Sequence, residues 1–167
     1  MCKFVVWLAL LFTFVAAVPA HDFSSVQTET QLNLVGTING TLKIRMNLTR
    51  KGTELTGAYY YETKKKNIPL RGVMSEQGYF ELDEYGAKGA ISGHMIGVYT
   101  NDKELLGFWS KDDSGISPKL SLSLRDEAKS TSTNHKFEVI NARVRRDRGT
   151  AQLLLVDGKL LGFSYEN

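Results

Sequence analysis

The stretch TLKIRMNLTRKGTELTGAYYY, residues 41–61, decides the fold. Leu42, Ile44, Met46 and Leu48 alternate with Lys43, Arg45, Asn47 and Thr49, so one face of an extended chain is apolar and the other polar. Successive strand side chains point to opposite sides, and a period of two therefore marks a strand with one buried face. Lys51 and Gly52 supply a turn, after which Leu55, Gly57, Tyr59 and Tyr61 share one face of the returning strand. Two alternating runs joined by a short turn are a hairpin.

The same plan extends in both directions. An aliphatic residue followed two positions later by glycine recurs at Leu34 and Gly36, Leu55 and Gly57, Leu70 and Gly72, Ile91 and Gly93, Leu105 and Gly107, and Leu160 and Gly162. The first five glycines are spaced by 21, 15, 21 and 14 residues, a twice-repeated unit of about 36. Each period is too short for a domain and suits two hairpin strands with their turns. Further alternating strands follow at Ile68 to Met74, Phe80 and Leu82, Ile91 to Tyr99, Leu105 to Trp109 and Leu120 to Leu124, and Leu32 to Ile38 precedes them. Eight consecutive strands predict an all-β, antiparallel up-and-down meander closed into a small barrel. The recurrent glycines lie on the inward face, where a missing side chain lets the sheet bend or approach closely. No segment has the length and period of a helix.

The organisation reads as a signal peptide at 1–20, a barrel meander at 21–125, a Ser- and Thr-rich linker at 126–134, and a C-terminal β extension at 135–167 packed on the barrel. Lys3, the apolar run Phe4 to Val18, and Val18 and Ala20 at signal-peptidase spacing carry the first assignment and leave His21 as the new N-terminus. They predict an exported, periplasmic or secreted protein with no integral membrane segment after cleavage. The lone Cys2 leaves with the signal, which excludes cysteine nucleophiles and thiolate metal sites. In the extension, Phe137 to Val144, Ala151 to Val156 and Leu160 to Tyr165 read as three strands, the last two joined at Asp157 and Gly158. Leu153 to Val156 is apolar on both faces, which predicts burial on both sides.

Gly36-Thr37-Ile38, the strand Leu42 to Leu48, the Leu-Thr-Gly-Ala-Tyr-Tyr-Tyr run at 55–61, Leu70-Arg71-Gly72 and Leu106-Gly107-Phe108-Trp109 resemble a group of exported bacterial proteins of unknown function. The Gly-x-Tyr and Gly-x-Trp steps are also similar to those of avidin-like barrels. That second resemblance implies fold only, since the matching tryptophan set is absent and biotin binding is not carried over.

Reactive chemistry is poorly represented. His21, His94 and His135 are scattered, with no spacing that converges on a metal. Of the acids Glu81, Asp83, Glu84, Asp112 and Asp113, Glu81 and Asp83 fall on the face away from Leu82 and are expected in solvent. There is no Gly-x-Ser-x-Gly nucleophile elbow and no phosphate-cradling helix start. Asn39-Gly40-Thr41 and Asn47-Leu48-Thr49 match the glycosylation pattern, the first doubling as a hairpin turn. The expectation is a non-enzymatic protein without cofactor, metal or nucleic-acid partner.

Two binding readings remain. Tyr59, Tyr61, Tyr99 and Trp109 all fall on the inward face and would line a pocket for a small ligand or a cell-envelope component, or else plug the barrel. Alternatively, the protein is an interaction module, an inhibitor or envelope partner, using an edge strand or the basic segment carrying Arg143, Arg145, Arg146 and Arg148.

Overall fold

The computed structural model describes residues 28–111, 118–129, 133–143 and 150–166. The expected signal segment, His21, Asp112, Asp113, Arg145, Arg146 and Arg148 lie outside them.

The eight expected strands form in order as β1 (Glu29–Ile38), β2 (Leu42–Lys51), β3 (Glu54–Tyr61), β4 (Ile68–Met74), β5 (Tyr79–Tyr85), β6 (Ile91–Tyr99), β7 (Glu104–Ser110) and β8 (Leu120–Asp126). Each pairs antiparallel with its neighbour, and β8 returns to β1 with Gly36 opposite Leu124, closing an up-and-down barrel. Closure leaves no free edge in this sheet. Only a short 3-10 turn at Ala87–Gly89 interrupts the β structure of the described residues. At the β1–β2 turn, Asn39 and Gly40 take φ of 54° and 66°, the left-handed pair that matches hairpin twist.

The alternation places the core where the sequence put it except at the first residues of β2 and β6, where Leu42 and Ile91 lie at the rim and are 46% and 50% exposed. Leu34, Ile38, Ile44, Met46, Leu48, Leu55, Leu70, Leu82 and Met95 are buried inside the barrel. The inward glycines have a measurable reason. A Cβ added at Gly36, Gly57, Gly72, Gly97 or Gly107 would lie between 1.9 and 2.1 Å from a carbonyl oxygen of the facing strand. A real side chain cannot occupy that distance, so these positions are where neighbouring backbones come close enough for the wall to coil. Gly162 is different: its Cβ would meet only Ile96 Cδ1, at 3.6 Å.

The C-terminal residues form a separate sheet, ordered β11-β10-β9, from β9 (Phe137–Arg143), β10 (Thr150–Val156) and β11 (Lys159–Glu166). Leu154 and Val156 bury against Leu106 and Phe108 on the outer wall of the barrel, and Phe137 meets Phe108 edge-on. The expectation that Leu153 to Val156 is buried on both sides is wrong for one side. Leu153 and Leu155 are half-buried, and on the same outer face Ile140 and Leu160 are 46% and 55% exposed. A three-stranded sheet laid on a barrel has a partner for only one of its faces.

His135 fastens this sheet down. Its Nδ1 lies 2.7 Å from Asp157 Oδ2 and its Nε2 lies 3.0 Å from Glu104 Oε2, while the backbone N–H of Lys136 donates to Asp157 Oδ1 at 2.8 Å. Carboxylates on both ring nitrogens select the doubly protonated imidazolium. The contact ties the β10–β11 turn to the start of β7 through side chains that are 11% exposed at both His135 and Glu104.

Candidate functional site

Antiparallel order sorts the connections onto two ends of the barrel. The segments 39–41, 62–67 and 86–90 border one end, termed here the upper end, where β7 also finishes and β8 begins; 52–53, 75–78 and 100–103 border the lower. Tyr61 closes β3, Trp109 lies one residue before the end of β7, and Glu84 lies one before the end of β5, so all three gather at the upper end. Tyr59 sits one inward step deeper and is almost fully buried.

Glu84 organises this end. Its position follows Phe80 and Leu82 on the inward face of β5, and among the described residues it is the one buried charge facing the barrel interior. Such a group costs several kcal/mol, roughly, unless hydrogen bonds replace its water. Here Tyr59 Oη donates to Oε2 at 2.6 Å, Trp109 Nε1 donates to the same oxygen at 3.0 Å, and Ser92 Oγ donates to Oε1 at 2.8 Å. Alternation alone would turn Ser92 outward, with His94. The ladder between β5 and β6 shifts register after Glu84, and this bulge re-aims Ser92 at the carboxylate. Gly93 makes room for the indole: a Cβ there would be 2.8 Å from Trp109 Nε1.

Two tyrosines extend the cluster. Their rings meet edge to face with centroids 5.5 Å apart, and their hydroxyls lie 3.4 Å apart. Burial, and then the hydrogen bond to Glu84, hold the Tyr59 phenol far above its ordinary range, so it serves as a donor at any physiological pH. Tyr59→Phe removes one of three donors from a buried carboxylate and is expected to destabilise the fold by about 2 kcal/mol. Urea unfolding of the variant against the parent measures this directly.

Of the four aromatic residues expected to share one wall, Tyr99 is elsewhere. It ends β6 at the lower end, where burial and then the charge of Asp126 raise its phenol. Antiparallel order puts the ends of odd-numbered and even-numbered strands on opposite rims, so a shared inward face does not mean a shared site. Sequence reasoning also missed Glu84, grouping it with Glu81 and Asp83. The signal was present, because Glu84 keeps the parity of Phe80 and Leu82.

Of the remaining titratable candidates, His94 has a local partner. His94 Nδ1 lies 2.8 Å from Asp83 Oδ1, its cross-strand neighbour on the outer face. Arg143 is exposed at the end of β9. Among the described residues no group of three or more His, Cys, Asp or Glu side chains converges to hold a metal ion. None of their helices is long and apolar enough to cross a membrane.

The fold and this cluster define an antiparallel eight-stranded barrel with a hydrogen-bonded carboxylate and aromatic rings at one end. Comparison with protein-family models, with curated proteins and with solved structures finds no match to this chain.

Proposed function

We propose that the protein is a non-enzymatic binding barrel that takes a small flat ligand at its upper end, against Tyr61 and Trp109, with Glu84 as the anchor. The observation that carries this reading is the placement of a buried carboxylate beside two half-buried rings at a barrel mouth. Apolar packing would fill the same volume at lower cost, since buried charge is weak evidence for stability. A carboxylate has about four lone-pair directions, and the protein supplies three donors. The ligand class that suits the fourth is a planar apolar body bearing an ammonium, amide or hydroxyl donor, whether free or part of an envelope component. Deeper entry is not part of the reading, because Tyr59, Met46, Leu70 and Met95 already fill the interior.

The test pairs tryptamine with indole-3-acetate, which share a ring and differ in charge. Tryptamine is expected to raise the melting temperature, indole-3-acetate to leave it unchanged, and Glu84→Gln to erase the difference. Equal or absent responses to both probes in the parent protein would refute the assignment.

A further inference from the structure

The outer wall of the barrel carries a second surface, separate from the mouth. β11 is one of the two edges of the C-terminal sheet, β9 being the other, and its side away from β10 pairs with no strand among the described residues. Beside that edge lies a groove of about 550 Å³, walled by Leu161 and Gly162 of β11 and floored by Val73, Tyr79, Glu81 and Ile96 of the barrel. Val73 and Tyr79 are 51% and 52% exposed, large apolar groups half open to water.

The geometry is that of an unfinished sandwich. β10 and β11 lie over β7 and β6, and the groove continues the same gap over β5 and β4. A strand added to β11 would sit about 4.8 Å further along, at the sheet-to-sheet spacing of roughly 10 Å from the wall. Its alternate side chains would then point down at Val73 and Tyr79. Gly162 keeps this wall low, since even a Cβ there would touch only Ile96.

The floor also specifies charge. Val73 stands in register between Glu54 of β3 and Glu81 of β5, and Glu81 is in turn opposite Ile96. Both glutamates are exposed, and among the described residues neither forms an ion pair. The row thus presents an apolar step, Val73, flanked by two glutamates, with Lys51 of β2 standing opposite Glu54 at its far end and Glu81 without a facing cation. We infer that this groove receives an extended segment of a partner protein that adds to β11 as a fourth strand, with apolar and Lys or Arg side chains facing the wall. Backbone pairing to the free edge supplies affinity, and the row supplies selectivity. A second copy is the poorer occupant: its own β11, KLLGFSYE, brings one lysine and one glutamate to an acidic floor.

The test uses the full chain and two capped octapeptides with threonine at every second position, the positions between alternating valine with lysine in one and valine with glutamate in the other, so that one face carries both the apolar and the charged side chains. Hydrogen exchange is expected to slow at β11 amides with the lysine peptide, whose affinity exceeds that of the glutamate peptide by tenfold or more. Reversing Glu54 and Glu81 to lysine should invert that preference, and Tyr79→Ser, at an exposed site, should weaken both peptides without unfolding the protein. Absence of β11 protection with either peptide overturns the inference. So does equal binding of both peptides, or a concentration-dependent dimer that protects the same amides, which would make a second copy the occupant. None of these readouts involves Glu84, so failure here leaves the mouth reading standing, and the converse holds.

Discussion

Gly72→Ala is expected to destabilise the barrel by at least about 3 kcal/mol, the upper range for overpacking a filled site. The new Cβ would lie 1.9 Å from the Glu81 carbonyl oxygen and 2.8 Å from Leu82 Cα, all of it backbone. A flexible side chain could swing aside, but these atoms belong to the β4–β5 ladder, in which Gly72 is opposite Leu82. Relief requires opening that ladder or flattening the wall, and either change propagates because a closed barrel couples tilt and stagger around its whole circumference. Gly162→Ala is the matched control. With only Ile96 Cδ1 at 3.6 Å, it is expected to be neutral or to stabilise by up to about 1 kcal/mol through the unfolded chain. Denaturant midpoints of the two variants check both values, and similar losses at the two positions would discard the coiling explanation.

Removing the imidazole at the sheet–barrel junction should have a comparable effect. His135→Ala leaves Glu104 as a buried carboxylate stripped of its partner, and breaking such a pair costs about 3 kcal/mol. The loss falls first on the C-terminal sheet, so exchange of β9 and β10 amides should accelerate more than that of β2 and β3. The pH dependence follows from the same contact. Burial pulls the His135 value down, yet the hydrogen bonds to Asp157 and Glu104 outweigh it and hold the imidazole above its ordinary 6.5. A raised folded value means that the stabilisation is complete below about 6.5, the unfolded value, and is lost as pH rises through the folded one. Asp157 works at the other limit. The hydrogen bond from His135, then that from the Lys136 N–H, lower its value, so its share is present above about 3.8 and fades as pH falls further. Melting temperature should therefore decline as pH rises above about 6.5 in the parent protein and much less in His135→Ala. Parallel curves would remove His135 as the cause.

Much of this architecture was legible from local pattern. Strand faces follow from a period of two, turns from pairs such as Asn39-Gly40 and Asp157-Gly158, and wall curvature from glycines that share a face with leucines. Even Glu84 could have been read as interior by counting from Leu82. Ser92 could not, because a bulge moved it off its expected face, and bulges have no reliable sequence mark.

The sequence by itself determined the strand sequence, the inward set and the antiparallel order, since each depends on residues within a few positions of one another. Tertiary structure alone decided three further matters. It turned Ser92 inward through a bulge, joined His135 to Glu104 across 31 residues, and, among the described residues, left one face of the C-terminal sheet largely open and the outer edges of β9 and β11 unpaired. These outcomes depend on how a closed wall and a second sheet meet in space, and side-chain periodicity describes which way a residue points without describing what stands opposite it.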